Sequence, residues 1–208
     1  MANIPRKLFE RIHTLVPCGI GYNSSFPEID NITFDKEKAI ENVVVYLAGK
    51  GHKKIAYIGG PGRLKADLST SRRYQGFRNG IEACGLELRS GWIKNCYWLI
   101  DECHKKTHEL LNGPEIPDAI VCGSDNIVFS VYRAVYEKQL CIPKDIAIFS
   151  CEKLPVSQYI TPTLSTIEIP EDDMNNAAVE LLVQRINGLQ SAPMEIIFRT
   201  QMVIQAST

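Results

Sequence analysis

Gly51–Phe77 reads GHKKIAYIGGPGRLKADLSTSRRYQGF, and the fold follows from how this stretch divides. Ile55–Ile58 is a short apolar run of the kind that forms a buried strand. Gly59, Gly60 and Gly62 then let the chain turn sharply, a polar loop follows, and Arg73–Cys84 carries the spacing of a helix, with Phe77, Ile81 and Cys84 on one face. Strand, glycine-rich exit, polar loop and helix make half of a βαβ unit. Ligands of open α/β sheets sit beyond the carboxyl ends of such strands. The rim of a binding cleft is therefore expected between Gly59 and Arg73.

The same unit recurs along the chain. Before it, Ile4–Leu15 reads as a helix, Cys18–Tyr22 and Ile32–Phe34 as short strands, and Asp35 as the cap of a helix with Ile40, Val43, Val44 and Leu47 inward. After it, a helix begins near Asp101 and ends at Gly113-Pro-Glu-Ile-Pro117. Asp118–Cys122 and Ile146–Cys151 read as strands. The first leads into a helix from Ser124 or Asp125, with Val128, Val131, Ala134 and Val135 inward. Tyr159–Ile167 reads as a loop, Asp173–Ile186 as a helix and Glu195–Ile204 as one final strand. Leu86–Leu99 shows neither period, and its Trp92, Tyr97 and Trp98 suit core, interface or ligand platform alike. The pattern as a whole is α/β, with mainly parallel sheets flanked by helices.

Composition sets the outer limits. The chain has 208 residues, 45% hydrophobic and 23% charged, with a formal net charge of -1. That balance lacks the bulk positive charge used to hold a nucleic acid backbone. The seven cysteines form no CxxC pair, and several lie inside apolar runs, which reads as buried reduced thiols in a cytoplasmic protein. No signal peptide and no apolar run of about 20 residues is seen, so no membrane partner is expected.

Three polar residues stand just past strand ends: Arg73, Asp125 and Glu152. A guanidinium with two carboxylates suits a small polyhydroxylated ligand, since Arg donates in a fixed fork and each carboxylate accepts from hydroxyls. An aromatic such as Trp92, Tyr97 or Tyr22 would cover the apolar face of a sugar ring. Each residue also has a plainer role open to it: Asp125 as a helix cap, Arg73 as a salt-bridge partner. Gly59-Gly60-Pro61-Gly62 matches neither a phosphate loop nor GxGxxG. His104 and His108 are four apart without a third ligand nearby in sequence, and read as solvated helix residues. No metal, cofactor or catalytic set emerges, so no enzyme is expected.

Several blocks together resemble one family. They are Gly51-His-Lys-Lys-Ile55, Arg73-Tyr-Gln-Gly-Phe77, Asp118-Ala-Ile-Val121 leading into Ser124-Asp125, Ile142-Pro-Lys-Asp-Ile-Ala147, Pro162-Thr-Leu-Ser-Thr-Ile167 and Gln205-Ala-Ser-Thr208. Their order is that of the effector-binding region of the lactose-repressor/galactose-repressor transcription regulators. The resemblance implies a periplasmic-binding-protein-like (type I) fold of two α/β lobes around a sugar or nucleobase cleft. Residues 1–35 and 168–190 would belong to a first lobe, incomplete here, and 36–165 and 195–208 to the second. It places Arg73, Asp125 and Glu152 among the effector contacts, and Trp92 and Tyr22 are the aromatics expected beside them from the reading above. It further implies a homodimer, a small-molecule effector, and DNA binding only through an N-terminal domain that precedes this stretch in the family. Where the family carries an aromatic followed by aspartate, this chain has Cys151 and Glu152, and Lys153 adds a cation. A sugar-binding module for transport or sensing shares the fold, and a sugar-processing enzyme is the remaining reading.

Overall fold

The computed structural model describes residues 6–15, 20–22, 26–61, 68–153 and 155–208. The polar loop at 62–67 and Cys18 lie outside them. The described chain forms two compact units, residues 1–35 with 170–199 and residues 36–169 with 200–208.

The larger unit is a six-stranded sheet. Its strands are β3 (Ile55–Gly59), β4 (Ile93–Asn95), β5 (Ala119–Cys122), β6 (Ala147–Ser150), β7 (Ser165–Glu168) and β9 (Gln201–Val203), in the order β4-β3-β5-β6-β7-β9. All neighbours are parallel except β7 and β9. Helices α2 (Lys36–Gly49) and α3 (Arg72–Ala83) contribute to one buried cluster, with Ile55, Tyr57, Val121 and Phe149 beneath them. Helices α4 (Ile100–Leu111) and α5 (Asp125–Glu137) contribute to the other, over Ala56, Ile58, Ile120 and Ile148. Alternate residues of each central strand thus enter different cores. Both faces are covered, and that is why these strands read as unbroken apolar runs rather than alternating ones.

Helices α2 and α3 meet at unusually short range. Gly76 and Gly80 are buried, and a Cβ built at Gly76 would lie 2.0 Å from the Glu37 carbonyl oxygen. Ser71 caps α3, its hydroxyl accepting from the Tyr74 N–H at 3.4 Å.

The chain's end is stapled into this sheet. The Ser207 hydroxyl donates to the Ile148 carbonyl at 2.6 Å and accepts from the Ser165 N–H at 2.8 Å. Asp118 ties the start of β5 to β3, its carboxylate accepting from the N–H groups of Lys53 (3.0 Å) and Lys54 (3.2 Å).

The smaller unit pairs β1 (Ile20–Tyr22), β2 (Asp30–Phe34) and β8 (Glu195–Phe198) in a parallel sheet, with α6 (Glu171–Ile186) packed on β1 and β2. It also contains α1 (Arg6–Leu15). Arg185 grips the buried Asp30 through Nε and Nη2, both at 2.7 Å, and Asp30 also accepts from the Met194 N–H at 2.8 Å.

Three sequence expectations change. The single terminal strand is two, β8 and β9, because Arg199 and Thr200 leave the extended ladder between them. Glu195–Phe198 therefore belongs to the smaller unit rather than the second lobe. Ser165, Thr166 and Ile167, expected as loop, lie in strand β7, which is paired on both sides. Helix α6 buries Met174 and Leu181, and Ile186 at its end is 65% exposed.

The described cysteines, Cys84, Cys96, Cys103, Cys122, Cys141 and Cys151, are free thiols, four of them buried. Among the described residues no helix is long and apolar enough to cross a membrane.

Candidate functional site

Strand order creates the site. From β3 the chain crosses to β4 on one side, then returns to β5 on the other. Such a reversal leaves a crevice at the carboxyl ends of the two strands flanking it. Gly59 and Gly60 end β3 there, Gly123 follows β5, and Cys151–Glu152 follow β6.

Glycine at this edge makes room for an indole. A Cβ at Gly60 would fall 2.6 Å from the Trp98 ring, and one at Gly123 would fall 3.2 Å from it. Trp98 is held by its Nε1–H, which donates to the Pro61 carbonyl at 3.0 Å. Tyr57 lies below: its oxygen would be 2.6 Å from a Cβ at either Gly59 or Gly123. Its ring packs on Tyr74 and Phe77. Among the described residues, the buried hydroxyls of Tyr57 and Ser150 have no hydrogen-bond partner of ordinary geometry.

Arg73, Asp125 and Glu152 come together at this edge. Arg73 Nη2 donates to Glu152 Oε1. The Ser124 hydroxyl lies 3.1 Å from Asp125 Oδ1 and 3.4 Å from Glu152 Oε2, bridging the carboxylates. The Arg73 guanidinium carbon stands 5.6 Å from the centre of the Trp98 ring, within cation–π range. Arg73 arrives from the first turn of α3, Asp125 from that of α5. Of the two plainer roles one is filled: Arg73 does pair with a carboxylate, whereas Asp125 begins its helix and the cap residue is Ser124.

The charges are crowded and partly dry. Burial pushes the Glu152 carboxyl above the ordinary range; the Arg73 charge opposes this and the neighbouring Asp125 charge adds to it. Lys36, at the start of α2, is pushed down to about 8 by burial and by the positive charges of Arg73 and Arg72. Burial drives the Tyr57 phenol up, so it stays a neutral hydroxyl. The edge thus offers a guanidinium, two carboxylates, neutral hydroxyls and an aromatic face.

Trp92 is not part of it. It is 7% exposed in the core beneath α4 and α5, and Arg89 covers its face at 4.4 Å. Trp98 supplies the indole instead. Tyr22 ends β1, and its side chain lies outside the described residues. Lys153 turns its ammonium to Glu168, and Cys151 is buried in the core of α2 and α3. Sequence reading missed Tyr57, Ser124 and Lys36. A tyrosine two residues before a strand-end glycine was the available signal for Tyr57.

Residues 44–208 match the periplasmic binding protein-like domain. The chain belongs to that family. It carries the effector-binding region of the lactose-repressor/galactose-repressor regulators, as its relatives show. The ribose operon repressor of Escherichia coli is 32% identical over 142 residues, 68% of this chain and 42% of the repressor. The lactose operon repressor of Rhizobium radiobacter is 43% identical over 91 residues, 44% of this chain and 80% of the relative. A regulatory protein of the same family from Chloroflexus aggregans superposes with a TM-score of 0.86 at 24% identity, covering 99% of this chain and 74% of the other. A regulator from Enterococcus faecium with bound ribose gives 0.86 at 19% identity, covering 99% and 76%. The chain spans about two-fifths of the ribose operon repressor it matches.

Proposed function

We propose that this region binds a small polyhydroxylated effector, a sugar, at the carboxyl edge of β3, β5 and β6, and that it serves a transcriptional repressor. The observation that carries the reading is the meeting of Arg73, Asp125 and Glu152 beside the Trp98 ring. Arg73 donates to ring or hydroxyl oxygens, Asp125 and Glu152 accept from hydroxyls, and Trp98 covers an apolar ring face. The ribose in the Enterococcus faecium neighbour and the names of the ribose and lactose operon repressors support this ligand class. The region acts as a binding and dimerisation module and not as an enzyme. Effector binding shifts its conformational populations, and the DNA-binding part of a homodimeric regulator reads that shift.

Calorimetric titration of the purified protein tests this, with D-ribose first, then hexoses, their phosphates and purines. Saturable binding of one sugar is expected. It should weaken at least tenfold in Arg73→Ala, about 1.4 kcal/mol, and also in Glu152→Gln. Silence from a folded sample across the panel, or affinity unchanged in both variants, refutes the assignment.

A further inference from the structure

The α4–α5 pair carries a cluster that the effector reading does not use. His104 and His108 lie one turn apart on α4, with ring centroids 4.7 Å apart. Glu137, the last residue of α5, meets both: its Oε2 lies 2.9 Å from His104 Nε2 and 2.7 Å from His108 Nε2. The third group that sequence spacing did not supply comes from the neighbouring helix. The three donor atoms all lie within 4.8 Å of one another.

We propose that His104, His108 and Glu137 form a binding site for a divalent transition-metal cation, zinc or nickel in class, that clips α4 to α5. Two imidazoles and one carboxylate are the donor set such ions take, and three protein ligands leave a fourth position for water or another ligand. Ligand atoms about 2.1 Å from an ion at tetrahedral angles stand about 3.4 Å apart. The hydrogen-bonded triad must therefore open by roughly half an ångström to admit one, well within side-chain adjustment. Both histidines already turn the same nitrogen to the same oxygen.

The carboxylate is also oriented from behind. Arg133, one turn earlier on α5, donates from Nε to Glu137 Oε1 at 2.5 Å. That contact occupies one oxygen and leaves Oε2 to the imidazoles. An outer partner holding a ligating carboxylate in this way fixes its geometry before the ion arrives. The histidine and glutamate side chains are each about one-third exposed, so the site is reached directly from solvent. Its residues are not those assigned to the effector, so the two proposals stand or fall separately.

The test is titration of the chelator-stripped protein with Zn²⁺ and Ni²⁺ by calorimetry, together with its melting temperature with and without each ion. Saturable binding of one ion per chain is expected, with a melting temperature that rises with ion concentration. His104→Ala, His108→Ala and Glu137→Ala should each weaken binding at least tenfold, while melting without metal reports whether each variant is folded. Cys141→Ser, which removes an exposed thiol, should leave binding unchanged. No saturable binding by the wild-type protein, affinity within twofold of wild type in a folded His108→Ala, or loss of binding in Cys141→Ser would each overturn the site.

Discussion

Replacing Gly76 by alanine sets two known effects against each other. Gly76 sits in the interior of α3, where alanine gains about 1 kcal/mol in helix propensity. Its φ is not left-handed, so the backbone accepts a side chain. The space does not. The added Cβ would lie 2.0 Å from the Glu37 carbonyl oxygen, 2.8 Å from its carbon and 3.0 Å from its Cα. A carbon–oxygen contact relaxes only at about 3.3 Å, so the gap must open by more than an ångström.

The obstacle is backbone at the start of α2, which cannot swing aside as a side chain would. Separation of the helices also loosens Ile40, Val44, Phe77 and Ile81, which are buried in the same cluster. Overpacking costs about 1–3 kcal/mol and more where nothing yields. The upper end applies, and after the propensity gain the net loss is about 2 kcal/mol. For a domain of this size that is a fall of roughly 4–8 °C in melting temperature. Gly49→Ala is the control: a Cβ there meets nothing within 4 Å, and the change should be neutral or stabilising by about 0.4 kcal/mol. Thermal and urea unfolding of both variants decide the matter. A Gly76→Ala protein melting at or above wild type would show that α2 and α3 are not held at this distance.

Two further expectations concern buried polar anchors. Ser207→Ala removes a hydroxyl bonded to both the Ile148 carbonyl and the Ser165 N–H, leaving buried groups unmatched; urea unfolding should show a loss of about 2 kcal/mol, and an unchanged midpoint would mean that the chain's end does not hold β6 and β7. Asp30→Ala breaks the pair with Arg185 at a carboxylate only 2% exposed, and should cost about 3 kcal/mol. The Arg185 hydrogen bonds hold the Asp30 carboxyl below its ordinary value, opposed by burial and helped by the Met194 N–H. Its contribution is therefore present above the unfolded carboxylate value, about 3.9, and is lost as pH falls through the lower folded one. Melting temperatures taken from pH 6 to pH 2 should converge for wild type and variant at the acid end; parallel curves would contradict this.

The parts of the fold legible in sequence are those where one local signal serves both structure and packing. Ile55–Ile58, Ala119–Cys122 and Ala147–Ser150 are apolar at every position or nearly so, which only a strand covered on both faces requires. Arg73, Asp125 and Glu152 were found by their place after such strands, since parallel topology sends all those ends to one edge. Ser165–Glu168 escaped because its serine and threonine look like loop, although both are buried and bonded within the sheet. The Asp30–Arg185 pair joins residues 155 apart, and no local pattern announces it.

Trp98 marks a different kind of failure. Tyr97 and Trp98 have φ of 51° and 62°, the left-handed region, where a residue with a Cβ costs about 1–2 kcal/mol. Sequence signals for that conformation are glycine and asparagine, so two consecutive bulky aromatics look like core, and the helical and strand periods both vanish across Leu86–Leu99. The structure meets the cost locally. Asn95 Oδ1 accepts from the Tyr97 N–H at 3.1 Å, and the Leu99 N–H donates to the Cys96 carbonyl at 2.9 Å. The turn throws Trp98 onto Gly60 and Gly123, beside Arg73, while Trp92, in ordinary backbone, is absorbed into the core under Arg89. Strained non-glycine backbone persists where its surroundings over-determine it, and such places gather at binding sites. The stretch with neither period is thus the one whose strain brings an aromatic face to the edge where Arg73, Asp125 and Glu152 meet, and the missing side chains of Gly60 and Gly123 give that face its room.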